Sequence, residues 1–152
     1  VGRKWFPYRK WFPSRLIEEV DCSMKIVYFT VTGQTKRFIK KLGSNYEYFE
    51  IDAANPFLEV SDPFVLITPT YDKQITEPIN DFLEYQNNSH YLKGIVGTGN
   101  RNFAELFIFT AKNLSYEYHV PLIYAFEFNG TPTDVSNFKK AVKELESKGH
   151  WY

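Results

Sequence analysis

The chain has 152 residues, 24% of them charged, and a formal net charge of zero, so one domain is the default and no overall field favours nucleic acid or an anionic membrane surface. No apolar run approaches the roughly 20 residues that a bilayer span requires. One cysteine, Cys22, allows no internal disulfide, and the three histidines, His90, His119 and His150, make no metal spacing, so the expectation is no bound metal and a reducing, cytoplasmic setting.

Residues 1–23 read differently from the rest. Arg3-Lys4-Trp5-Phe6-Pro7 recurs six residues later as Arg9-Lys10-Trp11-Phe12-Pro13, and the segment carries a net charge of +2, leaving −2 for the remainder. Interleaved basic and aromatic residues suit a nucleic acid or a membrane surface. The plainer reading is an N-terminal extension, poorly ordered or non-native, because Met24 is the only methionine and stands directly before the first strand. Its apolar stretches are too short for a secretory signal. The expected organisation is residues 1–23 as extension, 24–147 as one folded domain and 148–152 as a frayed end.

Lys25 to Phe29 is a short run rich in β-branched and aromatic residues that ends in Thr30-Val31-Thr32-Gly33-Gln34-Thr35. An amphipathic segment follows, with Phe38, Ile39 and Leu42 on one face and Gly43 as its stop. This is a buried strand, a tight polar loop and a helix over 35–43. One reading is a plain connection with a Thr N-cap. The other is a phosphate site: a helix N-terminus offers free amides and positive potential, Thr30, Thr32 and Thr35 add uncharged donors, and Gly33 lets the backbone approach a ligand. The Gly-Lys-Ser/Thr ending of an ATP loop and the three-glycine dinucleotide fingerprint are both missing.

Tyr46 to Ile51 alternates as an edge strand, and Phe64-Val65-Leu66-Ile67 reads as a strand buried on both faces. After Thr68-Pro69-Thr70-Tyr71-Asp72, a helix is expected near Glu77-Pro78 with Thr76 as its cap. Leu92 to Val96 forms the next strand, Gly97-Thr98-Gly99-Asn100-Arg101-Asn102-Phe103 a loop, and Ala104 to Tyr118 a helix. Pro121 to Phe128 is the fifth strand, and Thr131 or Thr133 caps a last helix. Strands alternating with helices predict an α/β fold with a parallel sheet covered on both faces, and in such sheets ligands sit beyond the C-terminal strand ends.

Three polar loops converge there: 30–35, 69–76 and 97–103. Tyr71 offers a ring to lie against a flat ligand, or is a surface tyrosine in a turn. Gly97 and Gly99 permit close approach, Asn100 and Asn102 match a pyrimidine-like edge, and Phe103 gives a second wall; alternatively, Gly-Asn-Arg-Asn is a helix-capping turn. A phosphate grip, an aromatic wall and an amide-rich edge together suit FMN. The expected cofactor contacts are Thr30, Val31, Thr32, Gly33, Gln34, Thr35, Thr70, Tyr71, Asp72, Gly99, Asn100, Asn102 and Phe103. No triad or paired carboxylates stand out, so no catalytic residue is expected.

The phosphate loop resembles that of flavodoxins, and residues 24–147 resemble the NrdI family. The resemblance is carried by Val27-Tyr28-Phe29-Thr30, by Gly33-Gln34-Thr35-Lys36-Arg37-Phe38-Ile39 and by Pro69-Thr70-Tyr71. More specific are Gly97-Thr98-Gly99-Asn100-Arg101-Asn102-Phe103 and Phe126-Glu127-Phe128-Asn129-Gly130-Thr131-Pro132-Thr133-Asp134-Val135. The resemblance implies a flavodoxin-like fold, a five-stranded parallel sheet in the order 2-1-3-4-5 with helices on both faces. It implies noncovalent FMN. It further implies an accessory redox activator, not a stand-alone enzyme, whose reduced flavin makes superoxide to assemble the dimanganese-tyrosyl radical cofactor of class Ib ribonucleotide reductase, the supplier of deoxyribonucleotides. Its partners would be the radical-generating (beta) subunit and a flavin reductant or redoxin, with neither nucleic acid nor membrane.

A general electron-transfer flavodoxin shares fold and cofactor but is disfavoured by the Gly-Asn-Arg-Asn-Phe loop. A phospho-receiver domain needs acidic residues where this chain has Thr30 and Thr68-Pro69-Thr70. A binding module that has lost its flavin would show no visible absorbance. Asp72, Lys73 and Arg101 give the expected flavin surroundings a mixed charge, which predicts a less negative second reduction potential than in flavodoxins with an acidic rim.

Overall fold

Five short runs of β-branched and aromatic residues become strands: β1 (Lys25–Tyr28), β2 (Tyr48–Glu50), β3 (Phe64–Thr68), β4 (Leu92–Gly99) and β5 (Leu122–Glu127). The computed structural model describes residues 24–148. All four pairings are parallel, and the order is β2-β1-β3-β4-β5, as expected. The proposed extension and all but the first residue of the proposed frayed end lie outside the described residues.

Strand periodicity divides the core into two layers. Val27, Leu66 and Ile95 point to the side covered by α2 (Lys73–Glu84) and α3 (Phe109–Tyr118), where Phe82 and Ala111 meet them. Ile26, Val65 and Val96 point to the side of α1 (Gln34–Leu42) and α4 (Pro132–Lys148), against Phe38, Phe138 and Val142. β3 is buried along its whole length, as a central parallel strand must be. The long connection between β2 and β3 is anchored by one buried side chain. Asn88 accepts from the Val60 amide at 2.8 Å and donates to the carbonyls of Leu58 and Phe82 at 2.8 Å each.

Two helices differ from expectation. α2 starts at Lys73, not near Glu77, so Pro78 sits inside it. Asp72 occupies the cap position, and its carbonyl accepts from Ile75 and Thr76 at 2.9 and 3.2 Å. Proline at the sixth helical position removes only the bond that the Gln74 carbonyl would have received. The helix expected over 104–118 is broken. A 3-10 segment covers Arg101–Leu106, and α3 begins only at Phe109 after Ile108 at φ −136°, ψ 39°.

α4 opens on a reciprocal cap. The Thr131 amide donates to Asp134 Oδ2 at 2.8 Å, and the Asp134 amide donates to Thr131 Oγ1 at 3.1 Å. The Tyr124 hydroxyl donates to Asp134 Oδ1 at 2.6 Å. Burial would raise the Asp134 pKa, but the bonds from Tyr124 and Thr131 and the nearby Arg101 charge outweigh it and hold the value below its ordinary 3.8. A depressed carboxyl pKa contributes stability that is complete above the unfolded value and is lost as pH falls through the folded one. Acid titration of thermal stability should therefore show a steeper loss below about pH 4 for the parent chain than for Asp134→Asn.

Candidate functional site

The C-terminal ends of β1, β3 and β4 open into a cavity of about 330 Å³. Its lining comes from the three expected loops, through Thr30, Val31, Thr32, Gln34, Thr35, Thr70, Tyr71, Gly99, Asn100 and Phe103. Pro69, Thr98, Leu106, Phe107 and Phe128 complete it. Among the described side chains that line it, none is charged.

The first loop is shaped by Gly33, at φ +89°, a conformation that favours glycine. Its amide donates to Thr30 Oγ1 at 3.0 Å and its carbonyl accepts from the Arg37 amide at 3.0 Å. The N-cap of α1 is thus Gly33, with no side-chain cap, and not a threonine. Thr35 is 1% exposed, lines the cavity, and its hydroxyl has no hydrogen-bond partner among the described residues. A buried, unpaired hydroxyl beside uncapped helix amides is a set of donors lacking an acceptor.

The second loop is held from behind. Thr70 Oγ1 lies 2.9 Å from the Thr98 carbonyl and 3.1 Å from the Phe107 carbonyl, so its proton is committed within the protein. The Tyr71 amide donates to Thr110 Oγ1 at 3.3 Å, and the Thr110 hydroxyl donates to the Tyr71 carbonyl at 3.1 Å. This pins the Tyr71 backbone to α3 and leaves its half-buried ring at the cavity. Asp72 is exposed and does not line the cavity.

The two glycines of the third loop serve different ends. A Cβ on Gly97 would meet Ala111 Cβ at 2.8 Å and Ile108 Cβ at 3.0 Å, so Gly97 lets α3 lie close to β4. A Cβ on Gly99 would meet the Phe107 carbonyl oxygen at 2.0 Å, so Gly99 keeps the cavity wall in place. The Asn102 amide donates to Asn100 Oδ1 at 2.9 Å and the Phe103 amide to the Asn100 carbonyl at 3.1 Å. The capping turn is therefore real. Asn100 faces the cavity, whereas exposed Asn102 does not line it. Arg101 is tied to Glu127, by its amide to Oε2 at 3.1 Å and by Nε to Oε1 at 3.4 Å, and its guanidinium lies 4.5 Å over the Phe107 ring.

The family profile described as NrdI flavodoxin-like matches residues 26–140. The chain belongs to the NrdI flavodoxin-like family. The fold is shared with a flavodoxin from Streptococcus pneumoniae TIGR4, at 22% identity and a TM-score of 0.56, the match covering 82% of this chain and 98% of that one. It is shared too with a putative flavoprotein from Bacteroides uniformis, at 15% identity and a TM-score of 0.51, covering 78% and 97%. As a flavodoxin-like member of the NrdI family, the chain takes FMN as its cofactor. No helix among the described residues is long and apolar enough to cross a membrane.

Proposed function

We propose that this NrdI-family protein holds FMN in the cavity beyond β1, β3 and β4 and acts as the redox activator of a class Ib ribonucleotide reductase. The observation that carries the reading is the buried Thr35 hydroxyl, unpartnered among the described residues, at the uncapped start of α1, facing a cavity whose described lining side chains carry no charge. That donor set fits a phosphate bound without a basic residue. Thr30, Thr32 and Thr35 with the first amides of α1 would hold the phosphate, and Tyr71 and Phe103 would flank the ring. Asn100 would meet the ring's polar edge through the amide nitrogen left free by its own turn. When bound and reduced by a flavin reductant, FMN would supply an electron to O₂, and the superoxide formed would serve tyrosyl-radical assembly at the dimanganese site of the radical-generating subunit.

The protein's part is to bind, orient and set the field. The Arg101–Glu127 pair neutralises one side of the rim, while exposed Asp72 and Lys73 balance each other on another. A rim without net negative charge leaves an added electron less opposed. Potentiometry of the FMN-loaded protein should give a second reduction potential less negative than that of a flavodoxin with an acidic rim; a value equally negative would remove this account of the rim.

The deciding experiment begins with the flavin-free chain and FMN, followed by anaerobic reduction and readmission of O₂. Tight FMN retention, superoxide release, and radical formation in a manganese-loaded radical subunit are the expected results. Retention with electron transfer but no radical formation would reduce the reading to a general flavodoxin. Failure to retain FMN would overturn it.

A further inference from the structure

Phe128 lies outside the three loops that the sequence assigns to a ligand, yet it lines their cavity. We propose that its ring contacts the flavin ring directly, and that the turn after β5 is a fourth element of the cofactor site built to present it. The inference rests on the FMN reading above and adds to it a recognition residue.

The first observation is the backbone. Phe128 stands at φ +52°, a region that bulky side chains avoid. Gln86 and His119 also have positive φ, but both follow helix ends, where the left-handed conformation is a common stop. Phe128 follows a strand. Its conformation is enforced on every side. The Phe128 amide donates to the Gly99 carbonyl at 3.2 Å, and Thr98 Oγ1 donates to the Phe128 carbonyl at 3.0 Å. The Gly130 amide closes the turn on the Glu127 carbonyl at 2.9 Å. Lys41 reaches across from α1, its Nζ donating to the Asn129 carbonyl, Asn129 Oδ1 and the Gly130 carbonyl at 3.1, 2.9 and 2.7 Å.

The second observation is that this strain leaves the ring half exposed. Phe128 remains 50% exposed, and Phe103 and Leu106, which line the same cavity, are 63% and 57% exposed. Strained backbone held by its surroundings clusters at ligand sites. The threonines of the first loop and these three apolar side chains line one cavity, which matches a ligand with a phosphate and a flat apolar ring. Aromatic rings recognise such a ring by stacking or edge contact.

The test uses the full chain, stripped of flavin, with Phe128→Asn, Phe128→Trp and the parent compared by FMN titration, by fluorescence of the bound flavin and by thermal melting. Asparagine tolerates positive φ but carries no ring. Phe128→Asn is expected to keep or raise the flavin-free Tm while weakening FMN roughly tenfold. Phe128→Trp is expected to restore affinity and deepen the quenching of the bound flavin. Unchanged FMN affinity in Phe128→Asn would overturn the inference and point to a protein partner as what the ring meets. A weakened affinity with a lower Tm, unrescued by tryptophan, would overturn it in favour of a structural role. If the parent chain itself binds no FMN, the functional reading fails first, which is a different result.

Discussion

Gly99→Ala is expected to abolish FMN retention through gel filtration, with a loss of affinity of about a hundredfold or more, and to lower stability by about 3 kcal/mol. A Cβ at this position falls 2.0 Å from the Phe107 carbonyl oxygen and 3.1 Å from Thr70 Oγ1. The first of these is backbone and cannot rotate away. The same Phe107 oxygen accepts from Thr70, and the Gly99 carbonyl accepts from the Phe128 amide. Pushing the Phe107 turn outward thus loosens the wall after β3 and the turn after β5 in one step. Gly97→Ala is the control. Its Cβ would collide with Ala111 and Ile108 between β4 and α3, so it should cost comparable stability. FMN affinity measured below its melting transition should change far less. Equal affinity losses in the two variants would mean that Gly99 acts only through global stability.

The contrast between these glycines shows where the sequence runs out. Both were legible as points of close approach, but only the fold reveals what approaches each of them. β3 was readable because Phe64-Val65-Leu66-Ile67 admits no exposed face, and α1 because Phe38, Ile39 and Leu42 recur at helical spacing. The start of α2 was misread because Thr76 and Pro78 imitate a cap and a first turn. In the structure the Thr76 hydroxyl turns back toward the Asp72 carbonyl at 3.4 Å, inside a helix already under way. The break before α3 carries no local signal: it puts the Phe107 carbonyl where Thr70, 37 residues earlier, reaches it. Glu127 and Phe128 carried part of the family resemblance but were not assigned to the site, for a related reason. The parallel register of Gly99 with Glu127 sets the β5 turn beside the third loop, and that neighbourhood belongs to strand pairing, not to spacing along the chain.

Phe38→Ala is expected to cost about 3–5 kcal/mol and to lower Tm by roughly 10 °C, while also shrinking the thermal gain from added FMN. Phe38 is fully buried, stacked on Phe126 at 4.1 Å between ring centroids and edge-on to Phe138 at 5.4 Å. Gly130 lies so close that a Cβ there would meet Phe38 Cδ1 at 2.7 Å. One ring therefore joins α1, the end of β5, the turn that carries Phe128, and α4. Domains of this kind hold about 5–15 kcal/mol in all, so the variant stays folded but weakened. A ligand that binds only the folded state raises Tm according to its concentration over Kd. If the damage were confined to the core, the increment from a fixed FMN concentration would match the parent's. Because the α1 amides and the Phe128 turn both lean on this ring, Kd should rise and the increment should fall. Melting curves with and without FMN decide between the two, and an undiminished increment would show that the site is insulated from the layer beneath it.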